Sequence, residues 1–158
     1  MTEQDKKFMQ EAIRLSREGM RSGQGGPFGC VIVKDGQIVG QGNNQVTSTN
    51  DPTAHAEVVA IRNACRNLND FQLTDCTVYT SCEPCPMCLG AIYWARPKKI
   101  FFACSRSDAA AIDFDDEFLY NEIPLPLDQR QIETRQILRD EGNEVFVEWK
   151  LKEDKTEY

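Results

Sequence analysis

Four side chains in this sequence are of types that hold a metal and move protons, and they fall in two short segments. One is Ala54-His55-Ala56-Glu57; the other is Ser81-Cys82-Glu83-Pro84-Cys85-Pro86-Met87-Cys88. Histidine occurs once in the chain, and cysteine seven times. Cys85 and Cys88 are three apart at an expected helix start, so their sulfurs share a face and can converge on one point. The unpaired N–H groups and positive dipole end found there favour thiolates. Two thiolates and the imidazole of His55 make three ligands for a tetrahedral zinc. A structural site closes with a fourth protein ligand, whereas three leave a position for water. Cys82 could close the site, but it lies beyond Pro84 and should point away from the helix face. Glu57, two residues from the imidazole in a first helical turn, can reach the open position without ligating. There it can take a proton from the activated water and pass it to a substrate. Zinc with two thiolates is formally neutral and acidifies its water less, so a neighbouring base matters more than at an all-histidine site.

Each half of this pattern has an ordinary explanation when met alone. A lone histidine is usually a core or surface residue, and a lone Cys-x-x-Cys can be redox-active or accidental. A thioredoxin-like pair, however, would follow the first strand of a βαβ unit and have no associated histidine. H-x-E followed by P-C-x-x-C, each at a helix start, is far more specific than either part.

The elements that must position these groups are readable from periodicity. Thr2 to Ser22 carries Phe8, Met9, Ala12, Ile13 and Leu15 on a helical stripe, and Gly23, Gly25 and Gly26 break it. Phe28 to Lys34 reads as a strand, Asp35-Gly36 as a hairpin turn, and Ile38 to Gly42 as the returning strand. After a polar loop, Asp51-Pro52-Thr53 introduces a helix from about Ala54 to Leu68. Cys76 to Thr80 is a third strand. A helix from about Met87 to Ala95 follows, ended by Pro97. Lys99 to Cys104 is a fourth strand, apolar enough to be expected buried on both faces. Ser107 to Ala111 is compatible with a short helix, Ile132 to Leu138 with a strand, and Val145 to Leu151 with either. Cys30, Cys65, Cys76 and Cys104 read as small core residues. Strands alternating with helices indicate an α/β fold with some parallel pairing, made mixed by the hairpin.

A chain of 158 residues fits one domain, expected to run over 1–158 with 140–158 as a tail. With 41% hydrophobic and 27% charged residues it is neither disordered nor membrane-spanning. Its first residues have no apolar stretch of the kind a secretion signal needs, so a cytoplasmic protein without disulfides is expected. The net charge is −7. The excess sits in residues 105–158, with 15 acidic and 7 basic side chains against 10 and 11 in residues 1–104. A protein that grips a phosphate backbone usually shows the reverse bias, so neither a nucleic-acid nor a membrane partner is expected.

The segments GGPFGCVIV, NDPTAHAEVVAIR and YTSCEPCPMCLGAIYWARP resemble the cytidine and nucleobase deaminase superfamily, whose zinc signature is the H-x-E and P-C-x-x-C pair. Within it, Ser107 to Phe118 is similar to the small bacterial guanine deaminases and departs from the tRNA-editing branch. The resemblance implies a three-layer α/β/α sandwich around a five-stranded mixed sheet. It implies one zinc ion per chain on His55, Cys85 and Cys88, and Glu57 as proton shuttle. It further implies that Asn44 hydrogen-bonds the purine, that the N–H of Ala56 meets its carbonyl, and that Phe28 packs on the ring. Asp116 would hold or protonate the leaving amine. Tyr158 would close the pocket, often that of the other subunit of a homodimer through a swapped tail. The implied reaction converts guanine to xanthine and ammonia. The alternatives are a tRNA adenosine deaminase, a deaminase of another small amino-heterocycle (cytosine, guanosine, an aminotriazine), and a non-catalytic zinc scaffold, against which the presence of Glu57 argues.

Overall fold

The computed structural model describes residues 1–158, which divide into two compact units, Met1–Asp116 and Glu117–Tyr158. In the first, helix α1 (Glu3–Arg21) starts at a capping box in which Thr2 and Asp5 bond each other's backbone N–H. Strands β1 (Gly29–Lys34) and β2 (Gln37–Asn43) form an antiparallel hairpin. Its two turn residues, Asp35 and Gly36, both have positive φ, the requirement of the tight turn that this dipeptide favours. A one-residue bulge in β2 falls opposite Ile32 and Val33. A short helix α2 (Val46–Thr49) interrupts the polar loop before α3 (Ala56–Leu68). Strand β3 (Thr77–Cys82), helix α4 (Pro86–Ala95) and strand β4 (Lys99–Cys104) complete a βαβ unit with parallel strands. Helix α5 (Arg106–Ala110) follows, again started by a capping box, here Ser105 with Asp108.

The sheet order is β2-β1-β3-β4. The alternation of β1 and β3 divides the core in two. Val31, Val33 and Tyr79 pack with Ala12, Phe8 and Met9 on the α1 side. Cys30, Ile32 and Val78 pack with Ala56, Ala60, Ala64 and Ile92 on the side of α3 and α4. The Tyr79 hydroxyl donates to Asp5 Oδ1 at 2.7 Å, tying the start of α1 to β3.

Helix α3 lies unusually close to β2, and two glycines permit it. A Cβ on Gly40 would stand 2.5 Å from the Ala60 carbonyl oxygen, and one on Gly42 2.7 Å from that of Ala56. The same helix closes the outer edge of β2. Asn63 Nδ2 donates to the Gln41 carbonyl and Asn67 Nδ2 to that of Val39, each at 2.9 Å.

Three expectations are corrected. The sheet has four strands, not five. Ile132 to Leu138, expected as a strand, forms no regular element: its apolar residues Ile132, Ile137 and Leu138 do not alternate with period 2, so no single face is defined. Strand β4 is an edge, and Phe102 and Cys104 are exposed instead of buried, since β3 is its only neighbour. Cys30 and Cys76 are core residues as expected, while Cys65 is half-buried.

The second unit contains α6 (Glu117–Glu122), a single 3₁₀ turn at Leu127–Gln129, and α7 (Arg139–Leu151). The ambiguous stretch from Val145 is therefore helical. No residue of this unit is buried, and Ile137, Phe146 and Leu151 are among its exposed apolar side chains.

Gly42→Ala should force α3 off the sheet, because the new methyl meets backbone that cannot rotate away. We expect a destabilisation of about 1–3 kcal/mol, read as a lower Tm, together with weaker zinc retention in a competition titration. An unchanged Tm would show that the close seating is not required.

Candidate active site

Two helix starts meet at one point. His55 is the N-cap of α3 and Cys85 that of α4, both with extended backbone and neither with a side-chain capping bond. The usual N-cap residue spends its side chain on the helix's own N–H groups. Here a histidine and a cysteine take that position and leave their side chains to point elsewhere. Pro86 at the first helical position of α4 has no N–H to satisfy and fixes the turn. Cys88, two residues on, is buried and points to the same place.

His55 Nδ1 lies 3.6 Å from Cys85 Sγ and 3.5 Å from Cys88 Sγ, and the three ligand atoms lie within 4.8 Å of one another. A tetrahedral zinc with ordinary Zn–S and Zn–N bonds places sulfur and nitrogen about 3.6 Å apart. The donor set therefore fits zinc in type and in spacing, with the fourth position left to a non-protein ligand. Cys82, as expected, is outside the group; its thiol donates to the Ser105 carbonyl at 3.6 Å.

The electrostatics suit a cation. Cys85 is held as a thiolate, with its pKa pulled down to about 4 by the Cys88 thiol, by His55 and by the Cys88 backbone N–H. Cys88 is pushed up because it keeps the remaining proton beside that thiolate and is buried. His55 is raised by its contact with Cys85. A metal replaces those protons, so its binding energy is also folding energy.

Glu57, at the second position of α3, is 6% exposed and the only charged residue in the buried set. Its Oε2 lies 3.4 Å from Cys88 Sγ, and its Oε1 accepts from Thr80 Oγ1 at 2.8 Å. Burial raises its pKa above the usual carboxylate range, as suits a group that both takes and returns a proton. Asp116 is half-buried and raised by burial and by the negative charge of Cys85, which places it within that thiolate's field.

Asn44 is 5% exposed, and its Oδ1 accepts from the N–H groups of Gly26 at 3.3 Å and Val46 at 3.2 Å. With the oxygen committed, the amide offers only N–H donors outward. Phe28 is partly buried against the α3-side core and meets Phe114 edge-on, ring centroids 5.0 Å apart. Ala56 is fully buried at the first position of α3, where helix geometry leaves its N–H without an intrahelical acceptor. Tyr158, in the second unit, is exposed. Thr80 and Phe114 were not singled out from sequence. For Thr80 a signal existed: it is a hydroxyl on a strand face otherwise occupied by Val78 and Cys82.

Residues 2–104 match the family described as the cytidine and deoxycytidylate deaminase zinc-binding region. The chain belongs to this family. As a member of these deaminases, it is 55% identical over 151 residues to guanine deaminase of Bacillus subtilis, covering 96% of this chain and 97% of that one. The X-ray structure of guanine deaminase from Bacillus subtilis superposes with a TM-score of 0.95 at 54% identity, over 97% and 98% of the two chains. A tRNA-specific adenosine deaminase of Aquifex aeolicus is 41% identical over 96 residues, covering 61% of this chain and 63% of its own.

Cys88→Ala should lose the metal and, with it, stability. Elemental analysis should find one zinc per wild-type chain and far less than one in the variant. A chelator should lower the wild-type Tm and leave that of the variant unmoved. Full zinc occupancy in Cys88→Ala would refute the ligand set.

Proposed function

We propose that this protein hydrolyses guanine to xanthine and ammonia. One observation carries the choice of substrate. The likeness to the Bacillus subtilis guanine deaminase runs through the acidic last third of the chain, whereas the match to the tRNA-specific enzyme spans 61% of it. The charge distribution supports the same choice, since residues 105–158 hold 15 acidic side chains and only 7 basic ones.

His55, Cys85 and Cys88 would hold zinc, which would supply the Lewis acidity that makes water a nucleophile near neutral pH. Glu57 Oε2, 3.4 Å from Cys88 Sγ, accepts the proton of the water that attacks C2 of the purine. It gives that proton to the ring nitrogen; the second proton of the water, from the new C2 hydroxyl, passes by way of Glu57, with Asp116 beside the amine, to the departing nitrogen as the C2–N bond breaks and ammonia leaves. The amide N–H of Asn44 donates to an acceptor atom of the ring, and the N–H of Ala56 to the substrate carbonyl. Phe28 packs on the ring. The balance is guanine plus water to xanthine plus ammonia.

The working unit in this proposal is a homodimer whose tails, residues 140–158, dock on the partner, with Tyr158 completing the pocket. Two features of the single chain support it. Helix α4 is apolar on nearly every side, yet Tyr93 and Trp94 are exposed; a helix of that composition is normally covered. The second unit, with no buried residue, likewise calls for a covering surface.

Incubation with guanine, followed by ultraviolet absorbance and ammonia release, tests the activity. Glu57→Gln should retain zinc and fold and lose about 10²- to 10⁴-fold in kcat, because an amide cannot accept the proton. Turnover should respond little to salt, since a neutral base releases no counterions. Salt-sensitive, nanomolar tRNA binding would replace this function with tRNA editing.

The tail is tested by mixing two inactive chains, Glu57→Gln and one lacking Tyr158. If tails close the partner's site, the heterodimer unites the intact Glu57 with the intact Tyr158 and activity returns. If each tail serves its own subunit, the mixture stays inactive.

A further inference from the structure

Thr80 is 1% exposed in the middle of β3, opposite Cys30 of β1 and level with Phe102 of β4. It shares the α3-facing side of the strand with Val78, which belongs to one apolar cluster with Cys30, Ile32, Ala56 and Ala60. A hydroxyl on this apolar face needs a partner, and its partner is Glu57. The carboxylate can only accept, so the Thr80 O–H must donate, and it does so to Oε1 at 2.8 Å. The other oxygen, Oε2, is the one beside the metal ligands, 3.4 Å from Cys88 Sγ. The two oxygens therefore have different surroundings: one is anchored to the sheet and one faces the cluster.

Building on the reading of Glu57 as proton shuttle, we propose that Thr80 is a positioning residue for the reaction. It pins Oε1, fixes the rotation of the carboxylate, and so leaves Oε2 as the only oxygen that handles the proton. A β-branched residue on a central strand suits the task, because its side-chain torsion is restricted and its backbone is held on both sides. A glutamate without this anchor would still be buried beside the cluster. Its reactive oxygen would then be distributed over several orientations, and only some of these would meet the attacking water.

A purely structural Thr80 would satisfy a buried carboxylate and do nothing more, and the two roles separate experimentally. Thr80→Val and Thr80→Ser are compared for zinc content, Tm, kcat and KM with guanine, in the wild-type and the Glu57→Gln backgrounds. We expect Thr80→Val to keep one zinc per chain and lose about 10- to 100-fold in kcat, the usual cost of removing an outer-shell partner at a metal site. KM should stay within about twofold, and Thr80→Ser, which keeps the hydroxyl, should recover most of the rate. In the Glu57→Gln background the same change should cost less than about twofold, because residues acting as one unit are not additive. Should Thr80→Val fail to hold zinc, Thr80→Cys offers a weaker donor of similar size and is expected to show the same kcat loss. The proposal is overturned if kcat is unchanged while Tm falls, if Thr80→Ser is as slow as Thr80→Val, or if the loss is equally large in both backgrounds. Near-normal turnover of Glu57→Gln alone would refute the shuttle reading itself, and that result is visible without any change at Thr80.

Discussion

Helix α3 sits against β2 with backbone nearly touching backbone, because Gly40 and Gly42 present no side chain and the helix answers with Ala56, Ala60 and Ala64. That seating sets the position of His55 and Glu57, which lie at the helix start and have short reach. The partner ligands come from α4, delivered by the parallel βαβ unit through β3. Zinc tolerates little error in ligand position, so the metal site is in effect a gauge of how near α3 lies to the sheet. Larger residues at the two glycines would satisfy hydrophobic burial equally well and still misplace the imidazole.

The surroundings of Glu57 show a second economy of position. A buried carboxylate is costly unless its lone pairs are used, and here each oxygen has a contact of a different kind. At the neighbouring cluster, negative charge on Cys85 is stabilised by groups that a cation would join or replace. The polar groups at this end of the sheet are thus arranged around charge that arrives with ligands, whereas the buried serines Ser16 and Ser81 are each bonded to backbone.

The chemistry was more legible in the sequence than the architecture around it. His55, Cys85 and Cys88 could be recognised because metal ligation demands particular residue types at fixed spacing, and few other demands produce that pattern. The four strands and the helices between them were legible for a similar reason: a core that must be covered enforces period 2 or 3.6. Residues 105–158 obey no such rule within one chain, so Ile132–Leu138 suggested a strand and Val145–Leu151 suggested two answers. Strand β4 misled in the opposite direction. Its apolar composition belongs to an exposed edge strand, which periodicity cannot distinguish from a buried one. Thr80 escaped notice because a threonine in a strand is ordinary, and its value lies in a partner 23 residues away.

The two edges of the sheet are finished differently. On β2, Asn63 and Asn67 occupy the carbonyls of Gln41 and Val39, so an incoming strand finds those acceptors taken. On β4 the side chains of Phe102 and Cys104 are exposed. At the β2 edge, addition of a further strand is opposed, and the two asparagines act as chain terminators in the polymer sense against the open-ended stacking that leads to fibres.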